Sequence, residues 1–189
     1  GMVMNRALLI IDYTNDFVAE EGTLNCGVAG RSVAGPIVKL TRKFLGNGDY
    51  VFVINDIHYP NDTYHPENGL FPPHNLAGTW GRQLYGELES VIEESKKKYA
   101  ELVLVMDKTR YSAFAGTDLE IRLRERNITE LHLAGVCTDI CILHTAVDAY
   151  NKGFNIVVHK NTVQSFDQAG HQWALRHFKN SLGATIVDE

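Results

Sequence analysis

LHLAGVCTDICILHTAVDA, residues 131 to 149, decides the fold. Leu131 to Val136 is a short apolar run that reads as a buried parallel strand. Apolar positions at Ile142, Ala146, Ala149 and Tyr150 continue it as a helix. Thr138 or Asp139 suits the N-cap, since either side chain can accept from the first free amides. Cys141 then falls in the first turn of a helix, just past the carboxyl end of a strand. Free amides and the helix dipole favour an anion there, which lowers a thiol pKa from its reference of about 8.5. A thiolate so made is a nucleophile. The competing reading is a buried structural cysteine, and residues from the rest of the chain decide between the two.

Working outward, ALLII at 7 to 11 reads as a central strand buried on both faces, ending at Asp12. Helical spacing runs over 28 to 46, with Pro36 expected to kink the helix or delay its start, and GNGD stops it. YVFVIN at 50 to 55 is a second strand, LVLVM at 102 to 106 a third, 154 to 158 a fifth and 184 to 187 a sixth. Helices are expected over 84 to 99, over 118 to 126 with Leu119, Ile121 and Leu123 inward, and over 168 to 182 before Gly183. Residues 56 to 86 hold four of the five prolines and three of the eight histidines; their aromatics argue for an ordered, packed loop. No repeat, linker or low-complexity tract interrupts the 189 residues, so a single domain is expected. Alternating strands and helices imply an α/β, three-layer, doubly wound fold with a six-stranded, mainly parallel sheet.

The totals exclude several classes. A net charge of -5 and a pI near 5.9 disfavour nucleic acid and anionic membrane. Lys96 to Lys98 reads as a solvated helix end. Three cysteines with no CxxC argue against a disulfide framework and for a reducing cytoplasm. No apolar run approaches the roughly 20 residues of a membrane span. A strand expected so early leaves no signal peptide expected, and Gly1 ahead of Met2 reads as a tag-removal scar.

In such a sheet ligands bind beyond the carboxyl ends of the strands. Those ends carry Asp12, Asp56 with His58, Asp107 with Lys108, and Cys141. Lys108 as a cation can stabilise a thiolate, and Asp12 can take the thiol proton and return it to a leaving amine. His144, three residues past Cys141, offers a weaker Cys–His alternative. In DIHYPNDTYHPENGLFPPH, Asp56 and His58 are two apart and His74 follows the stiff Pro72–Pro73 pair. A carboxylate and two imidazoles suit zinc, manganese or iron, with Glu67 or His65 as a further ligand. Loop histidines packed on aromatics are the alternative.

Together, LLIIDYTNDFV, DIHYPND, FPPHNLAGTWG, MDKTRYSAFAGTDL and AGVCTDICILHTAVDA resemble the isochorismatase-like cysteine hydrolases, and within them the nicotinamidases, also called pyrazinamidases. The likeness covers most of the chain, and HPENGLFPPHN looks most like the branch whose metal ligands include a glutamate. It implies a catalytic triad of Asp12, Lys108 and Cys141, and one divalent transition metal, zinc first, on Asp56, His58, Glu67 and His74. It implies an oxyanion hole from the backbone amides of Cys137 and Cys141, beside a cis Val136–Cys137 peptide. Ring-binding aromatics fall on Phe17, Phe71 and Tyr111. A homo-oligomer, dimer or tetramer, is expected, with nicotinamide or pyrazinamide as substrate and NAD salvage as the setting. One departure is Cys137, where many relatives carry a small apolar residue. Two other readings are a carbamoyl or ureido amidase of the same superfamily, whose members generally lack the metal set, and a non-catalytic binding member, which Cys141 argues against.

Overall fold

The first strand, β1 (Asn5–Ile11), is fully buried from Ala7 onward and pairs on both sides, so it lies inside a sheet. The protein is described here by a computed structural model covering residues 5–188; the scar reading of Gly1 and Met2 lies outside the described residues. After β1 come α1 (Asn15–Val18), α2 (Gly27–Arg31), α3 (Ala34–Gly46), β2 (Tyr50–Asp56), α4 (Glu87–Lys98) and β3 (Val103–Lys108). The second half holds α5 (Leu119–Glu125), β4 (Ile128–Val136), α6 (Leu143–Asn151), β5 (Asn155–Gln164), α7 (Gln168–Leu182) and β6 (Thr185–Val187). The six strands form one sheet in the order β3-β2-β1-β4-β5-β6, and every pairing is parallel. This is the doubly wound α/β arrangement that the alternating pattern predicts.

Side chains alternate across the sheet and build two cores. Ala7, Leu9 and Ile11 face α5, α6 and α7 through Leu123, Ala146 and Phe178. Leu8 and Ile10 face α3 and α4 through Ile37, Phe44 and Leu88. Three expectations change at this level. The helix expected over 28 to 46 is broken into α2 and α3 around Ser32 and Val33, and Pro36 sits in the first turn of α3, where a missing N–H costs nothing. Ile121 is 63% exposed, because only Leu119 and Leu123, four apart, can share the buried stripe of so short a helix. Tyr150 is likewise half exposed at the far end of α6.

The chain leaves β1 toward β2 and β3, and leaves β4 toward β5 and β6. The reversal between β1 and β4 opens a crevice beyond their carboxyl ends. Gly135, with φ of 118°, pairs with Ile11 there, and a side chain would run into the Ile11 carbonyl. The next residue along β1, Asp12, adopts a left-handed φ of 55°. That conformation is uncommon outside glycine, and it directs the Asp12 carboxylate into the crevice.

Candidate active site

Beyond β4 the backbone enters a π-helical turn, Thr138–Ile142, before α6 begins. The Cys137 carbonyl accepts from the amides of Ile140 and Ile142, and the Val136–Cys137 peptide is cis. Neither Thr138 nor Asp139 caps the helix, contrary to the sequence expectation. Thr138 Oγ1 instead meets His171 Nδ1 at 2.6 Å, and Asp139 Oδ1 accepts from Ser165 Oγ at 2.5 Å. These contacts tie the turn to α7 and to the residue that follows β5, so side-chain capping gave way to tertiary anchoring. The turn places the Cys141 thiol at the mouth of the crevice, 4% exposed.

Lys108, from the end of β3, is the hub of the strand-borne side chains. Its Nζ lies 2.9 Å from Asp12 Oδ2, 2.5 Å from Asp56 Oδ1 and 3.6 Å from Cys141 Sγ, and donates to the Arg110 carbonyl at 2.9 Å. Burial opposes its charge, but the two carboxylates outweigh burial and hold Lys108 protonated. Burial and then Asp56 push the Asp12 carboxyl up to about 6, against the pull of Lys108. The Cys141 thiol is pushed up by burial first and by Asp12 next, with Lys108 opposing. This corrects the expectation of a thiolate made by the helix dipole. The turn is π rather than α, the sulfur is dry, and two carboxylates face it, so the surroundings favour the protonated thiol.

The second constellation comes from the segment between β2 and α4. Asp56, His58, Glu67 and His74 bring one ligand atom each to within 4.8 Å of one another, and all four residues are buried. Glu67 stands on a short 3-10 turn, Pro66–Gly69. Asp56 Oδ2, His58 Nε2, Glu67 Oε2 and His74 Nε2 have no hydrogen-bond partner although buried. Buried polar atoms are almost always satisfied, so four orphans aimed at one point fit a cation. The tautomer agrees at His74: its Nδ1 donates to the Pro72 carbonyl at 2.8 Å, leaving the Nε2 lone pair free. The cluster thus fits a divalent metal. Asp56 belongs to both constellations, with one oxygen on Lys108 and the other among the candidate ligands.

Between the two constellations is a narrow cavity lined by Phe17, Phe71, Tyr111, Asp56, Glu67, Cys137 and Cys141. Leu24, Ile140 and Phe166 complete it. Sequence reading missed these three, since an apolar residue in a loop carries no signal until the fold closes over it. Phe17 and Phe71 meet the His74 ring edge-on, with centroids 5.2 and 6.2 Å away. His144 is exposed and packs on Tyr111, so it does not pair with Cys141. Asp107 points away from the crevice and pairs with Arg82.

The Isochorismatase domain family matches residues 6–189. A crystal structure of nicotinamidase/pyrazinamidase PncA from Bacillus subtilis superposes with a TM-score of 0.95 at 60% identity, covering 98% of this chain and 100% of that one. The pyrazinamidase/nicotinamidase of Streptococcus mutans UA159 gives 0.93 at 50% identity, over 97% and 100% of the two chains. A pyrazinamidase of Pyrococcus horikoshii in complex with zinc gives 0.84 at 26% identity, over 98% and 99%.

Proposed function

This chain belongs to the isochorismatase family, and within it we propose that the protein is a nicotinamidase, an amidohydrolase converting nicotinamide and water to nicotinate and ammonia. The observation that carries the reading is the Lys108 ammonium set between Asp12, Asp56 and Cys141, one side chain away from four convergent metal-type ligands. The close relatives named for this activity support the substrate.

In the reaction we assign, Asp12 takes the Cys141 proton as the sulfur attacks the carboxamide carbon. The backbone amides of Cys137 and Cys141 receive the oxyanion. Asp12 then gives the proton to the departing nitrogen, and ammonia leaves a thioester. Asp12 next deprotonates a water that attacks the thioester, releasing nicotinate and returning the proton to Cys141. A carboxyl pushed up to about 6 suits both directions of this shuttle. Lys108 stays charged throughout and balances the negative charge passed between Asp12 and sulfur. Phe17, Phe71 and Tyr111 hold the ring.

Asp56, His58, Glu67 and His74 would hold the metal, zinc before manganese or iron given the mixed oxygen and nitrogen donors and the zinc in the Pyrococcus relative. When bound, the ion supplies a Lewis-acidic contact for the pyridine nitrogen, which positions the ring. A carbamoyl amidase is the weaker reading, because nothing in its chemistry calls for these four ligands.

No helix among the described residues is long and apolar enough to cross a membrane. The buried free thiols of Cys26, Cys137 and Cys141 support work in a reducing cytoplasm, and NAD salvage is the setting that fits the proposed reaction. Exposed Tyr59, Tyr64, Leu70 and Trp80, all between β2 and α4, support a homo-oligomer; light scattering that returned a 21.2 kDa monomer at micromolar concentration would refute it. The decisive experiment for the activity is ammonia release from nicotinamide with and without a chelator. Turnover that requires metal and is lost with Cys141→Ala supports the reading, and no release from nicotinamide sinks it.

A further inference from the structure

His65 stands beside the four candidate ligands without being one of them. It is 5% exposed, and its ring lies 4.4 Å from that of His58. Its Nδ1 accepts from the Glu67 backbone N–H at 3.1 Å, capping the short turn that carries Glu67. A ring nitrogen that accepts an N–H bears no proton, so in the neutral imidazole the proton sits on Nε2. That Nε2 is buried, has no hydrogen-bond partner, and lies 3.7 Å from Glu67 Oε2. Oε2 also lies 3.9 Å from His58 Nε2, and Oε1 lies 3.4 Å from His74 Nε2, so the carboxylate that His65 touches is the one that faces both ligand imidazoles.

We infer that His65 is a positioning residue for Glu67: it grips the glutamate by its backbone amide and stands against carboxylate Oε2, and so fixes the orientation in which the carboxylate meets the metal. A His65 ligand would need a lone pair on Nε2, which the Nδ1 contact removes. A merely packed imidazole would not leave a buried N–H unsatisfied a short closure from a carboxylate. Outer partners of this type fix the orientation of a ligating carboxylate, and their loss typically weakens metal binding about 10–100-fold. The inference rests on the metal assignment proposed above.

The test measures zinc affinity of the intact protein by competition with a chromophoric chelator, alongside the melting temperature of the metal-free protein. His65→Ala removes both contacts. His65→Asn keeps a side-chain acceptor for the Glu67 amide but cannot reach the carboxylate. Each variant is expected to lose about tenfold or more in zinc affinity, while metal-free His65→Asn melts with the wild type. In a Glu67→Ala background, His65→Asn is expected to cost nothing further, because the effect runs through Glu67. Wild-type zinc affinity in His65→Asn would overturn the inference. So would an undiminished loss in the Glu67→Ala background, which would make His65 a ligand. A metal-free melting temperature in His65→Asn as low as in His65→Ala would reduce the residue to a structural role and overturn it too. If wild type and His58→Ala bound zinc equally, the metal assignment itself would fall, and the inference with it.

Discussion

Two buried histidine groups, one around His58 and His74 and one around His132, differ in one respect. His58 and His74 share their site with Asp56 and Glu67, and each Nε2 is left without a partner. His132 on β4 is as dry, yet its Nε2 meets Glu130 Oε2 and its Nδ1 meets His159 Nε2, both at 2.8 Å. Its ring also packs edge-on against Phe44 at 4.8 Å. The same residue types therefore make a candidate ligand shell in one place and a satisfied core in the other. What separates them is hydrogen-bond accounting: a buried imidazole with both nitrogens bonded has nothing left to offer.

The comparison is sharpened first where neither group should matter. In the proposed mechanism Cys141 is the nucleophile and not a ligand, so Cys141→Ala is expected to cut turnover by about four orders of magnitude or more. Metal content, read by elemental analysis, should stay near one per chain. Iodoacetamide should label Cys141 ahead of Cys137, because Lys108 Nζ stands 3.6 Å from Cys141 Sγ to hold a thiolate, whereas Cys137 Sγ lies 3.6 Å from another thiol, Cys26 Sγ. Loss of metal in Cys141→Ala would merge the two constellations into one site and break the scheme.

His58→Ala tests the ligand shell directly. Removing an outer partner of a ligand costs about 10–100-fold in affinity, so removing a ligand should exceed that. Metal content should fall sharply, and discrimination between nicotinamide and benzamide, which lacks the ring nitrogen, should collapse. His132→Gln, on the other side of the comparison, should leave both unchanged. A metal-replete His58→Ala protein would equate the two histidine groups and refute the assignment.

Lys108→Met has a smaller expected effect on chemistry because it removes a charge rather than a reacting atom. The Cys141 pKa should rise further and acylation should slow. Removing the cation leaves Asp12 and Asp56 facing each other in the interior, so a stability loss of about 3–5 kcal/mol is also expected. Alkylation rates across pH read the thiol directly, and an unmoved pKa would remove Lys108 from the mechanism.

These outcomes bear on why some parts were legible in the sequence and others were not. Asp12, Lys108 and Cys141 sit at or just beyond strand ends, and strand ends are visible as the last residue of an apolar run. The sheet then fixes where they meet. Asp56 and His58 share that advantage. Glu67 and His65 do not, since they hang on a turn held by contacts no periodicity encodes, such as the Glu67 N–H to His65 Nδ1 and the Asn68 side-chain amide to the Asp62 carbonyl. The proposed choice of Glu67 over His65 therefore draws on the tautomer, a matter of geometry that the sequence does not carry. The thiol pKa was misjudged for a related reason: sequence shows a cysteine near a helix start, but not how dry the sulfur is or which carboxylates face it.

The smallest effect belongs to the satisfied group and reads on stability alone. Burial first, with the nearby His159 and Arg6 adding, pushes the His132 pKa below its ordinary value, against the pull of Glu130. In the unfolded chain the residue titrates near its reference of about 6.5. Between the depressed folded value and that reference, the unfolded state binds the extra proton. The contribution to stability is therefore complete above about pH 6.5 and is lost as pH falls toward the folded pKa. His132→Gln should cost about 1–3 kcal/mol at pH 7.5 through disturbed buried hydrogen bonds. It should also flatten the decline in stability between pH 7 and pH 5, because glutamine does not titrate. Urea denaturation across that range measures both effects. A variant whose stability falls as steeply as that of the wild type would mean His132 protonates as readily folded as unfolded, and the satisfied-core account of this group would fail.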